Sequence, residues 1–249
     1  MTDWQHTYDP RDLNYLSARA KRIHETAEVL GVPALGLAGG IARELTLSRE
    51  VYPHDPLIVA ARPMKEFLTS NEADSAIPDS PMSSGRAWKP ISHKAIADSF
   101  ALSNTPGGII KMWPETVNRI LNKLSNPVFW DVGPGGVNIR TGIQMLQNYN
   151  RMFPDSDPLD LKRYNDRYDL LVRDLKNPDS DTTVKIAGLV GREGQDFFTK
   201  AMTPQRWAAL SEDQRAAALT KYYAVGKERM EDDFVKRGGD PNTYTPDFN

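Results

Sequence analysis

The chain of 249 residues contains no cysteine. It therefore forms no disulfide, and cysteine thiolates are excluded both as nucleophiles and as metal ligands. A charge of one dominant sign is also lacking, because 31 basic residues face 33 acidic residues and the formal net charge is −2. Such a balance gives no support to nucleic-acid binding or to an electrostatically held contact with a membrane.

Long hydrophobic runs are missing as well. No apolar run approaches the roughly 20 residues that a membrane-spanning helix needs, so we expect no membrane insertion. The first stretch, MTDWQHTYDPRD, lacks the basic start and the apolar core of a secretory signal. Hydrophobic residues make up 39% of the chain and charged residues 26%, which is typical of a soluble globular protein.

Strand-like alternation is scarce, whereas apolar residues recur at helical spacing along much of the chain. We therefore predict a mainly α-helical fold in a single domain over residues 1–249, with residues 1–12 and 237–249 irregular. Residues 51–90 are rich in proline and turn formers, which predicts a long irregular loop region. Helices are predicted for Leu13–Gly31 with Asp12 as N-cap, Pro33–Glu50, Ser92–Phe100, Ile109–Leu124, residues 161–175, Thr183–Phe198, and the stretches that Asn138 and Ser211 begin.

The helix from Pro33 to Glu50 carries an acid in an unusual position. On a helical wheel, Glu44 falls among apolar and small residues, with Gly40 and Ile41 one turn before it. Partial burial disfavours the charged form of a carboxyl group and raises its pKa. An acid that stays protonated near neutral pH can donate a proton to a leaving group. Gly40 is expected to leave room on this face for another group to approach. The structural alternative to a catalytic Glu44 is an ion pair between Glu44 and an Arg or Lys.

A glycine-rich stretch, DVGPGGVN, spans residues 131–138. Its three glycines and one proline predict an irregular turn over Asp131–Gly136, and Asn138 is expected to cap the helix that follows. Glycine-rich turns before helices can bind phosphate. The spacing here matches neither common nucleotide-binding pattern, so we do not predict a nucleotide cofactor.

Three stretches, in this order, resemble the lysozyme-like superfamily of goose-type lysozymes and lytic transglycosylases. Ile41-Ala42-Arg43-Glu44 is similar to the helix that ends in the catalytic Glu of that family. Gly135-Gly136-Val137-Asn138-Ile139, with Thr141-Gly142, is similar to the turn that lines the sugar cleft. Tyr222-Tyr223-Ala224-Val225-Gly226 is similar to a late A-Y-N-A-G motif, and the combination looks most like the muramidase effectors of bacterial type VI secretion.

The resemblance implies cleavage of the β-1,4 bond between N-acetylmuramic acid and N-acetylglucosamine in peptidoglycan. Glu44 would protonate the glycosidic oxygen, and Asp131 would be the second carboxylate, which stabilises the sugar cation or activates water. An Asx turn that holds the local backbone is the structural alternative for Asp131. The residues implied in substrate binding are Gly135, Val137, Asn138, Tyr222 and Tyr223, although core packing is an equal alternative for one of the tyrosines.

The sequence departs from the family at three positions. Leu45 replaces the Ser that commonly follows the catalytic Glu of lytic transglycosylases, Asn138 replaces Gln, and Ala224 replaces Asn. These departures count against a lytic transglycosylase more than against the fold. A lytic transglycosylase, which releases anhydro-muropeptides, stays an alternative for the case in which no carboxylate activates water. A non-catalytic module of a virion or secretion apparatus is the alternative of another class.

The resemblance also bears on partners and location. It implies an antibacterial effector that is delivered without a signal peptide to the periplasm of a target bacterium, and an immunity protein that blocks the cleft. No cofactor is expected to be required. Calcium enters only through the resemblance, since some members of the family bind it.

Overall fold

The structure, a computed structural model, describes residues 10–50, 92–103 and 131–246. Within these ranges the chain is mainly α-helical, as the sequence predicts. In chain order the elements are α1 (Pro10–Ala18), α2 (Ala20–Leu30), α3 (Ala34–Glu50), α4 (His93–Ser103), β1 (Asp131–Val132), β2 (Val137–Asn138), α5 (Ile139–Met152), a 3-10 helix (Lys162–Tyr164), α6 (Tyr168–Lys176), α7 (Thr182–Ala201), α8 (Pro204–Ala209), α9 (Glu212–Val225) and α10 (Lys227–Lys236).

The chain divides into two compact units. The first comprises Met1–Val51 and Val184–Asn249, and the second comprises Tyr52–Thr183. The organisation as one domain over residues 1–249 stays a prediction. The predicted loop over residues 51–90, the predicted helix Ile109–Leu124 and most of the predicted lead-in lie outside the described residues.

The N-terminal helical segment differs from its prediction in two ways. The helix begins at Pro10, so Asp12 lies inside α1 and does not cap it. Proline suits the first helical position, because an N–H group there has no intrahelical partner and its absence costs nothing. The segment is also divided at Arg19, whose φ of −112° leaves the helical range. Its predicted end is confirmed, because Gly31 adopts the left-handed conformation with φ 65°.

Helix α3 forms as predicted, with a start one residue later. The Pro33 carbonyl accepts hydrogen bonds from the N–H groups of Gly36 (3.1 Å) and Leu37 (3.3 Å), which places Pro33 just before the first helical residue. The apolar face is buried where its side chains are described, with Leu37 and Ile41 at 3% and 0% exposure. The core cluster of the first unit comprises Ile23, Leu37, Ile41, Val184 and Ala187.

Glycines on α3 allow α9 to approach closely. A Cβ added at Gly36 would lie 3.2 Å from Leu219 Cβ, one at Gly39 would overlap the Thr220 hydroxyl, and one at Gly40 would lie 2.9 Å from Tyr223 Cγ. These contacts advance in the same direction along both helices, so α3 and α9 are parallel. Because these glycines have no side chains, the backbones of α3 and α9 can lie close together.

The start of α9 confirms the predicted capping box. Ser211 accepts a hydrogen bond from Gln214 N (3.2 Å), and Gln214 Oε1 accepts one from Ser211 N (2.9 Å). The N–H groups of Ser211 and Gln214 therefore each have a side-chain acceptor. Helix α9 ends at Val225. Gly226, whose φ is 79°, follows as its C-cap and is also the N-cap of α10.

Residues 237–246, near the C-terminus, form turns and irregular structure that packs against other parts of the first unit. Tyr244 is only 1% exposed, and its ring contacts that of Phe234 edge to face at a centroid distance of 5.1 Å. The Tyr244 hydroxyl donates to Asp233 (3.1 Å), while Arg206 donates to the Pro241 carbonyl (2.6 Å). An aromatic anchor and a side chain–backbone hydrogen bond thus hold the segment on the first unit.

In the second unit, the helix predicted for residues 161–175 is replaced by a 3-10 turn and α6. The Asp157 carboxylate accepts hydrogen bonds from Tyr149 Oη (2.7 Å) and from the N–H groups of Leu161 (2.8 Å) and Lys162 (3.1 Å). Burial alone would raise the pKa of Asp157, but these hydrogen bonds hold it below its usual value. The Asp157 carboxylate thus competes with helical carbonyl groups for these backbone N–H groups. A short turn forms here, although the spacing of apolar residues predicts a longer helix.

The α3–α9 contact predicts opposite effects for two glycine substitutions. Gly40→Ala should lower the free energy of unfolding by about 1–2 kcal/mol, because the new methyl group would push against the base of the Tyr223 ring. Gly191→Ala on α7 should raise it by about 0.5–1 kcal/mol, because alanine favours helix and, apart from adjacent residues and the backbone of α7 itself, no described atom lies within 4 Å of the new Cβ. Urea unfolding of both variants checks this, and equal effects would contradict the described packing.

Candidate functional site

Glu44 lies on α3 at the edge of the core of the first unit. Its side chain is half-buried, whereas Ile41, one turn earlier, is completely buried. The next residue, Leu45, packs against the core cluster, as does Tyr223 from α9. The helical neighbours of Glu44 at positions 41 and 45 are therefore apolar and at least partly buried. The raised pKa expected from such a position stays a prediction.

Tyr223 occupies the space that the missing side chain of Gly40 leaves on this face of α3. A methyl group at Gly40 would meet Tyr223 Cγ at 2.9 Å and Cβ at 3.2 Å. The group that approaches α3 at Gly40 is therefore the Tyr223 side chain of α9. The consequence is that Tyr223 packs one helical turn before Glu44, on the face that Gly40 shares with the acid.

Tyr222 points into the interior of the first unit. It is 1% exposed, and its ring lies near those of Phe197 and Phe198, at centroid distances of 5.8 Å and 6.2 Å. Burial raises the pKa of the Tyr222 hydroxyl, and the charge of Glu193 raises it further. This hydroxyl has no geometrically acceptable hydrogen bond among the described residues, so Glu193 acts on it mainly through its charge.

The two tyrosines therefore occupy different environments. Tyr222 is a core residue, whereas Tyr223 is only partly buried and retains surface that can contact a ligand. Their roles in substrate binding stay predictions. The geometry makes Tyr223 the member of the pair that is suited to contact either Glu44 or a bound sugar.

The glycine-rich stretch of the second unit forms a hairpin where an irregular turn was predicted over Asp131–Gly136. Strands β1 and β2 pair antiparallel, with Asp131 opposite Asn138 and Val132 opposite Val137. The turn between them is closed by a hydrogen bond from Gly136 N to the Gly133 carbonyl (3.1 Å). Asp131 therefore has its backbone in a strand and lies before the turn itself.

Gly133 and Gly135 are confined by their surroundings. Gly133 has φ 71°, and a Cβ there would overlap the Leu175 carbonyl at the end of α6. Gly135 is buried. Val137 is 3% exposed, so its side chain belongs to the core of the second unit and not to its surface. The importance of Gly133 is visible only in the structure, since nothing in the local sequence indicates its contact with α6.

Asn138 caps α5, as predicted. Its Oδ1 accepts a hydrogen bond from Arg140 N at 3.1 Å. The helix then buries Ile139, Ile143 and Leu146, at 0%, 0% and 1% exposure, which confirms the predicted apolar face. The capping bond gives the Asn138 side chain a structural role, and its predicted role in substrate binding stays a prediction.

Over residues 10–50, 92–103 and 131–246, no group of three or more His, Asp or Glu side chains is arranged to hold a metal ion. No helix in these ranges is long and apolar enough to cross a membrane. Calcium binding stays an expectation that rests on the resemblance alone.

Comparisons of the chain with protein-family models, with curated proteins and with solved structures found no match. The lysozyme-like resemblance therefore rests on the three motifs and their order in this sequence.

Two substitutions test the capping role of Asn138. Asn138→Ala should destabilise the protein by about 0.5–2 kcal/mol, because the N–H of Arg140 loses its acceptor, whereas Asn138→Ser should retain most of the stability. Thermal unfolding of both variants checks this. Equal melting temperatures for Asn138→Ala and the unmodified protein would contradict the capping role.

Proposed function

We propose that this chain is a peptidoglycan muramidase that cleaves the β-1,4 bond between N-acetylmuramic acid and N-acetylglucosamine. The observation that carries the proposal is the half-buried position of Glu44 beside a fully buried Ile41, on the helix whose sequence resembles the catalytic helix of lysozyme-like enzymes. Apolar packing by Leu45 and Tyr223 around this helix supports it further. Such surroundings favour the protonated carboxylic acid that a glycosidase needs.

In the proposed reaction Glu44 donates its proton to the glycosidic oxygen as the bond to the muramic acid anomeric carbon breaks. The alcohol of N-acetylglucosamine leaves, and positive charge develops on the ring of N-acetylmuramic acid. Asp131 is the proposed second carboxylate, which stabilises this charge or removes a proton from the attacking water. Tyr223 packs one turn before the acid and would restrict the orientations that Glu44 adopts.

The biological setting proposed for this activity is attack on another bacterium. As the resemblance implies, the chain would be an antibacterial type VI secretion effector that acts in the periplasm of the target cell. Its partners would be the glycan strand and a cognate immunity protein. The balanced net charge of −2 is compatible with a neutral sugar backbone as substrate.

Substitution of the proposed acid tests the mechanism. Glu44→Gln should keep the fold and reduce the release of muropeptides from purified sacculi at least about 100-fold, because the amide has no acidic proton to donate. Glu28→Gln is a matched control, since Glu28 is exposed on α2 in the same unit. Undiminished release by a folded Glu44→Gln variant would remove Glu44 from the mechanism.

Asp131→Asn tests the second carboxylate and the chemical outcome together. If Asp131 activates water, the variant should release muropeptides at least about 100-fold more slowly, and the unmodified protein should give hydrated reducing ends. Mass spectrometry of the products checks both points. Anhydro ends, lighter by one water, would show that the muramic acid 6-hydroxyl attacks instead and that the enzyme is a lytic transglycosylase. No release by the unmodified protein would favour the non-catalytic module.

A further inference from the structure

Helix α6 in the second unit begins without a cap from its own sequence. Its N-cap residue, Arg167, makes no side-chain capping hydrogen bond. The first N–H groups of a helix have no intrahelical partner and need an acceptor from elsewhere. The acceptor for the first helical residue, Tyr168, comes from a residue 75 positions earlier in the chain: His93 Nδ1 accepts from Tyr168 N at 3.0 Å.

His93 is also the first residue of α4, so one imidazole connects the starts of two helices. Its ring lies against that of Tyr168, with a centroid distance of 4.8 Å and an interplanar angle of 49°. The side chain is half-buried. Because Nδ1 accepts a hydrogen bond, the proton of the neutral ring must reside on Nε2.

A protonated imidazole cannot make this contact. Both ring nitrogens then carry hydrogen, so Nδ1 would direct a donor at the N–H of Tyr168. The added positive charge would also lie at the N-termini of both α4 and α6, where the helix dipoles disfavour cations. Contact between His93 and Tyr168 N therefore requires the neutral ring.

The charged groups around the starts of α4 and α6 do not offset the preference for a neutral His93 ring. On α6, Asp169 is paired with Arg167, with contacts of 3.1 Å and 3.2 Å. On α4, Lys94 and Asp98 form an ion pair with each other. Asp166 is exposed to solvent, which weakens its effect on a cation at His93.

We propose that His93 is a pH-sensitive clasp, which docks α4 onto the start of α6 near neutral pH and releases it under mildly acidic conditions. Docking should therefore weaken as the pH falls, because a protonated ring cannot accept the N–H of Tyr168. The proposal concerns docking alone, so it does not depend on the muramidase activity.

Hydrogen exchange of the Tyr168 amide measures the clasp directly. In the full chain, we expect the protection factor of this amide to fall about tenfold from pH 7.5 to pH 5.5, after correction for intrinsic exchange. The amide of Val172, inside the same helix, reports any general loosening of α6 and should keep its protection. An unchanged protection factor for Tyr168, or an equal loss at Val172, would overturn the proposal.

Three variants sharpen the test. His93→Asn offers an amide oxygen in place of Nδ1 but does not titrate, so its Tyr168 protection should be independent of pH over this range. His93→Ala should lose the protection at both pH values. His24→Asn, which changes an exposed histidine on α2, should behave like the unmodified protein. A pH response that survives in a folded His93→Asn variant would assign the effect to another group and reject the clasp.

Discussion

The close contact between α3 and α9 is the constraint on which the first unit depends. Helices normally keep their axes 8–10 Å apart because side chains separate them, and glycine removes that separation. Gly36, Gly39 and Gly40 give α9 a surface without side chains, and Leu219, Thr220 and Tyr223 fill it. This arrangement fixes the register of the two parallel helices. Because Glu44 follows Gly40 by one helical turn, the same contact fixes the position of Tyr223 relative to Glu44.

The same constraint gives the proposed chemistry a physical basis. A general acid must be held in a restricted orientation and in surroundings that favour its protonated form. The core cluster on one side of Glu44 and the ring of Tyr223 one turn before it satisfy the structural part of this requirement. In the second unit, contact of Gly133 with the end of α6 and the capping of α5 by Asn138 fix the backbone around Asp131 in a comparable way.

The sequence predicted the features that depend on neighbouring residues. The capping box at Ser211, the cap at Asn138, the end of α2 at Gly31 and the buried face of α3 all follow from local spacing. Features that depend on distant partners were missed. The group that approaches Gly40 was not identified, because Tyr223 lies 183 residues further along the chain. The hairpin at Asp131 was not predicted, because two-residue strands leave no alternating pattern.

A double-mutant cycle between Gly40 and Tyr223 tests the central constraint most directly. The free energy of unfolding is measured for the unmodified protein, Gly40→Ala, Tyr223→Ala and the double variant. If the ring of Tyr223 is what excludes a side chain at position 40, Gly40→Ala should cost little or nothing once the ring is removed, and the coupling energy should lie in the range of about 0.5–3 kcal/mol. Additive effects of the two substitutions would contradict the contact and the placement of Glu44 that follows from it.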